Sequence, residues 1–153
     1  MPVTPTIAEL ILREIVTRLE VNEDFTVYRE VMAPEKMTPT NYQLVVKTIS
    51  HTRQPALDRI GNPPVIAYDL TVGIFGQLGV SESDCEAIEG HQYEISGRIV
   101  QAITTGASWW TFGSRSLNCT IGDVQLLGPT YSGQVTLNIT YRVPENDPFT
   151  VAG

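Results

Sequence analysis

Two stretches of this chain alternate apolar and polar residues over about ten positions, and they restrict the possible folds more than any other feature. In one, Val135, Leu137, Ile139, Tyr141 and Val143 alternate with Gln134, Thr136, Asn138, Thr140 and Arg142. In the other, Ile66, Tyr68, Leu70, Val72 and Ile74 alternate with Ala67, Asp69, Thr71 and Gly73. Successive side chains of a strand point to opposite faces, so each stretch predicts a long β-strand with one core face and one polar or small face. A third strand, Tyr42 to about Thr52, precedes the 65–75 strand. The segment between them, H-T-R-Q-P-A-L-D-R-I-G-N-P-P, is far longer than the two to five residues of an ordinary hairpin turn.

That connection is also odd in content. It sets Leu57 and Ile60 beside Arg53 and Arg59, with Pro55, Pro63 and Pro64 to stiffen it. Stiffening lowers the entropy lost on docking. The expectation is an arm whose apolar residues anchor on a neighbouring subunit or other partner, its arginines pairing with that partner's carboxylates.

Helices flank these strands. Thr6-Ile7-Ala8-Glu9 is a capping box, and Ile7, Leu10, Ile11, Ile15 and Leu19 then fall on one stripe, which predicts an amphipathic helix from Thr6 to about Val21. Asn22-Glu23-Asp24 breaks it before a strand over Phe25 to Val31, and a loop with Pro34 and Pro39 follows. Ser83 to Glu86 is a second capping box before a helix to about Thr104, with Cys85, Ile88, Ile95, Ile99, Ala102 and Ile103 on its apolar side. Later come a strand around Leu117 to Ile121, a turn at Gly122-Asp123, and Val124 to Leu127. The class read from this order is α+β, a largely antiparallel sheet with a long β-hairpin and two helices packed on one face. At 153 residues it is taken as a single domain, 1–153, with 1–5 and 144–153 as extended terminal segments and 53–64 as an extended hairpin loop.

Trp109-Trp110-Thr111-Phe112 is read as extended, so adjacent tryptophans face apart and are hard to bury together. Two readings stay open: one ring at an interface, or one covering the core edge and the other lying on the surface.

Catalytic chemistry finds little support. His51 and His91 lie at a loop margin and mid-helix, and no G-x-S-x-G elbow accompanies them. Cys85 and Cys119 lack C-x-x-C spacing and read as reduced, partly buried thiols; H-E-x-x-H and EF-hand patterns are absent, so no metal and no cofactor is expected. The acids Glu82, Asp84, Glu86 and Glu89 are explained by the positive end of a helix dipole. Gly73, Gly76 and Gly79 recur every third residue, the wrong spacing for G-x-G-x-x-G, and read as a flexible strand exit. A net charge of −7 argues against a phosphate-gripping surface. No signal peptide and no membrane span are read.

The opening helix I-A-E-L-I-L-R-E-I-V-T-R-L, the paired strands around R-Q-P-A-L-D-R-I-G-N-P-P, the second helix and a last strand ending Y-R-V-P-E-N-D-P-F together resemble the tail-terminator and tail-completion proteins of tailed bacteriophages. The resemblance implies a non-enzymatic virion protein of the neck and tail, assembled in the host cytoplasm. Six copies would close into a ring that caps the tail tube, binds the tube protein and a neck or stopper protein, and lets DNA through its hole without specific binding. A head-completion protein or a tube subunit is the nearest alternative, and a small nucleotide-binding protein or enzyme the alternative of another class.

Overall fold

The computed structural model describes residues 4–29, 42–78, 88–126 and 132–152. Helix α1 spans Ile7–Glu20, and the Thr6 hydroxyl accepts the Glu9 amide at 3.3 Å, giving a partner to one N–H group that a first turn leaves open. The Glu9 carboxylate accepts from Arg29 at 2.8 Å, tying the helix to the strand that follows. Ile7, Ile11, Leu12, Ile15 and Leu19 are buried. Each such burial contributes about 1.5–3 kcal/mol, and a helix this short depends on that packing.

Five strands follow: β1 (Phe25–Arg29), β2 (Tyr42–Arg53), β3 (Val65–Leu78), β4 (Asn118–Leu126) and β5 (Ser132–Pro144), with helix α2 (Ile88–Thr104) between β3 and β4. They form one sheet in the order β1-β2-β3-β5-β4. Each neighbouring pair is antiparallel except β1 and β2, which run parallel. The fold is thus the expected α+β one. Helix α1 packs on β1 and α2, and α2 lies across β3, β5 and β4. One core cluster joins the α1 stripe, Ile95, Ile99 and Ile103 of α2, and the inward row of the sheet: Leu44, Val46, Leu70, Val72, Ile74, Val135, Leu137 and Ile139.

Helix α2 comes close to the sheet where β3 and β5 both present glycine. Gly76 pairs with Gly133, and a Cβ on Gly76 would stand 2.5 Å from Ile95 Cγ2. The spacing of glycines read as a flexible exit therefore serves another purpose. Gly73 and Gly76 are paired on both sides within β3, and Gly76 admits a helix.

Other local expectations are also corrected. Gly122 and Asp123 are not a turn; they sit where the register with β5 shifts between Ile121 and Val124, a bulge that leaves β4 continuous. The chain after Pro144 does not run extended. Asp147 accepts from the Phe149 amide at 3.0 Å and the Thr150 hydroxyl at 2.6 Å, and Ala152 then returns to the Arg142 carbonyl. Trp109–Thr111 form a 3₁₀ turn rather than an extended segment, ended by Phe112 in the left-handed region at φ 45°. Pro34, Pro39, Gly79, Glu82, Asp84, Cys85 and the second capping box lie outside the described residues, as do the side chains of Ile88 and Glu89.

Candidate functional site

The β2–β3 connection is a braced structure. Pro55–Leu57 form a 3₁₀ turn, and the Leu57 and Asp58 amides donate to the Gln54 and Pro55 carbonyls. Asp58 is the keystone, its carboxylate accepting from Arg53 Nη2 at 2.8 Å and from the Ala67 amide at 2.9 Å. Those two bonds, the Ala67 amide first, hold the Asp58 carboxyl below the usual carboxylate range. Arg59 and Val65 exchange both backbone hydrogen bonds, at 2.9 and 3.0 Å, and so close the apex between them. From β5, Arg142 Nε donates to the Leu57 carbonyl at 2.9 Å, and the Glu145 amide donates to the Pro64 carbonyl at 2.8 Å. Backbone polar groups that a long loop would leave to water are thereby satisfied within the chain.

Arg53, Leu57, Arg59 and Ile60 thus come together at one tip, with different parts to play. Arg53 pairs with Asp58 within the chain and so braces the turn. Leu57 is half covered, and Ile60 at the apex is fully exposed. Trp109 and Trp110 belong to a separate surface, the α2–β4 connection, where their rings meet edge to face at 6.1 Å. Trp109 packs on the core and Trp110 is 44% exposed. Within one chain, one ring therefore covers the core edge and the other lies at the surface.

At the base of the tip lies a group that periodicity does not reveal. The β2–β3 register shifts between Thr48 and Ser50, which leaves Ile49 as the extra residue of a bulge. Beyond it His51 pairs with Leu70 and Arg53 with Tyr68, so His51 stands on the side of Tyr68 and Tyr141. The His51 and Tyr68 rings stack at 4.8 Å, those of Tyr68 and Tyr141 at 5.6 Å, and His51 Nε2 shares a hydrogen bond with the Tyr141 hydroxyl. Burial lowers the His51 pKa and raises that of Tyr141. A histidine depressed in the folded state takes its proton first in the unfolded chain, so its contribution is present above the ordinary value and lost as pH falls below about 6.5. The melting temperature should therefore decline between pH 7 and 5 with a slope that His51→Gln reduces. An unchanged slope in that variant would remove His51 from the account.

Near the tip, the opposite sheet face, which no described helix covers, is polar. Asp69 accepts from Gln54 Nε2 at 3.0 Å and the Thr140 hydroxyl at 2.9 Å, and Thr52, Thr71, Asn118, Thr120 and Asn138 complete a shallow recess of about 320 Å³. A Cys119 nucleophile is disfavoured by its setting, since burial pushes its thiol up to about 12. Among the described residues no three His, Cys, Asp or Glu side chains group as metal ligands, and no helix is long and apolar enough to cross a membrane.

No family model matches the chain, and no curated protein matches it in sequence. Among solved structures, it is similar to a cryo-EM structure described as the sheath/tube terminator of an extracellular contractile injection system, PVC, in the extended state. The TM-score is 0.51 at 12% identity, with 99% of this chain and 62% of that chain covered. The likeness is one of fold, and this chain spans less than two thirds of that neighbour's length.

Proposed function

We propose that the chain is a structural, non-catalytic subunit that closes into a ring at the end of a tail or tube and stops further stacking. The observation that carries this reading is the terminator-like fold, shared over 99% of the chain with a protein described as a sheath/tube terminator. In its finer form the ring has six copies, sits between a phage tail tube and the neck or stopper protein of the virion, and is assembled in the host cytoplasm. Closed rotational symmetry is the usual route to an assembly that limits itself. Net charge of −7 fits a channel through which DNA slides without being gripped.

The test is electron microscopy of the purified protein, alone and added to polymerising tube subunits. Closed rings and shortened, capped tubes are expected. Open filaments of the protein alone would move the reading to a tube subunit, and a chain that neither closes nor caps would refute it. Trp110, the more exposed tryptophan, serves here as an interface anchor. Trp110→Ala should weaken ring formation by about 2 kcal/mol with the melting temperature retained. Rings of undiminished stability in that variant would return the side chain to the bare surface.

A further inference from the structure

One buried polar group lacks a partner at the end of the sheet far from the tip. Gln43 is 7% exposed, and its Oε1 is enclosed yet accepts no hydrogen bond. It pairs with Gln77, and alternation with the core residue Leu44 sets it on the face that no described helix covers. There, with Val45, Phe75, Gln77 and Ser132, it lines a recess of about 230 Å³. Small-molecule sites run to roughly 300–1,000 Å³, so this one suits a single side chain. An unpaired buried acceptor costs the folded chain stability, and here one is retained.

The lining restricts what can enter. It carries no charged side chain, so an ionised occupant would be buried without a counter-charge. Val45 and Phe75 call for an apolar body, while the open acceptor calls for a donor. Of the exposed large hydrophobic side chains among the described residues, only Tyr93 and Trp110 carry one. A tyrosine hydroxyl would bring a further acceptor into the recess, whereas an indole N–H only donates. Trp110 therefore fits, and no hydrogen bond reaches its indole among the described residues.

Donor and acceptor cannot meet within one chain. The Ser116 hydroxyl donates to the Trp110 carbonyl at 3.1 Å, and the Leu117 amide donates to Thr140. Along β5, Thr140 stands eight residues from Ser132, about 27 Å and beyond the reach of an indole. We infer that Trp110 of one copy enters the recess of the next, its ring on Val45 and Phe75 and its N–H donating to Gln43 Oε1. The terminal torsion of glutamine is soft, which lets the oxygen turn to meet the donor. Such a contact joins two different patches and so repeats head to tail until rotation closes it. It deepens the ring reading proposed above and rests on it.

Paired replacements test the contact. Trp110→Phe should weaken association about tenfold, the loss of one hydrogen bond, and Gln43→Leu by as much. The double variant should regain most of that loss, since a ring then meets an apolar wall with nothing left unpaired. In the dissociated chain, Gln43→Leu should raise the melting temperature by about 2–4 °C. A mixing experiment reads the geometry. Chains with Trp110→Ala keep the recess and chains with Gln43→Arg keep the tryptophan, so each alone should stay monomeric and the mixture should form one-to-one pairs that grow no further. The paired replacements decide alone if Gln43→Arg fails to fold. Additive losses, an association that Gln43→Leu leaves unchanged, or a mixture of folded chains that stays monomeric would overturn the contact. Tube capping is scored separately. Caps that form as readily with Gln43→Leu and with Trp110→Phe as with the parent overturn the contact and leave the terminator reading, whereas chains that join through it and never cap do the reverse.

Discussion

Gly76→Ala is expected to destabilise the fold by about 1–2 kcal/mol, although alanine is the better residue for an ordered chain. Two effects compete. Removing a glycine restricts the unfolded chain and favours folding by about 0.5–1 kcal/mol. Against it stands space: the new Cβ would lie 2.5 Å from Ile95 Cγ2, 3.0 Å from Leu44 Cδ2 and 3.1 Å from Ile99 Cδ1. Cγ2 is fixed directly to the Ile95 β-carbon and its side chain is wholly buried, so it cannot swing aside. Relief requires α2 to lift from the sheet, and overpacking of this kind costs about 1–3 kcal/mol. Denaturant midpoints of Gly76→Ala, Ile95→Ala and the double variant measure this. The double variant should be less destabilised than the sum of the singles, because Ile95→Ala removes the clashing methyl. A neutral Gly76→Ala, or strict additivity, would contradict the close approach. Gly133→Ala should cost less, since the atom met first, at 2.6 Å, is the Ser96 hydroxyl, which can rotate.

Phe112→Ala should be more damaging, by about 3–5 kcal/mol. The phenylalanine is fully buried although its backbone is left-handed, a conformation that costs an L-residue about 1–2 kcal/mol. Burial of the ring outweighs that strain. The Arg18 guanidinium lies 5.1 Å from the ring centroid, while its Nη1 donates to the Ile103 carbonyl at the end of α2. Alanine would keep the strain and lose the burial, leaving a cavity between α1, α2 and β4. For a chain of this size the melting temperature should fall by about 10 °C or more. Tryptophan fluorescence should report loosening of Trp109 at lower denaturant than in the parent. A fall of only a degree or two would mean that the turn can collapse into the space.

What could be read beforehand follows the range of the interactions. Helix α1 is legible because its cap and stripe are local, and β3 and β5 because alternation persists over ten positions. The left-handed turn at Phe112 has one local signal, the glycine at Gly113, which a reading by alternation alone does not weigh. Gly76 stands out as a glycine within a strand, but its purpose depends on Ile95, which lies on another element. The parallel pairing of β1 leaves no mark in a five-residue strand. At the tip the residues were legible as a group, while their division of labour was not. Arg53 pairs within its own turn because Asp58, five positions on, is brought back to it by the 3₁₀ turn. His51 joins Tyr68 and Tyr141 because one extra residue interrupts the count along β2, and strict alternation assumes that none does.

That extra residue, Ile49, gives the molecule a steering joint. Below it the sheet is locked to the helices; above it the hairpin carries its tip beyond them. Both Ile49 and Ser50 face the uncovered side, so the pairs on either side, Thr48 with Val72 and His51 with Leu70, would keep their partners and their faces if Ile49 were lost. What would change is the local twist and bend of the strand, and with them the bearing of everything distal to it. A single insertion or deletion can thus swing the tip through an angle without repacking the core.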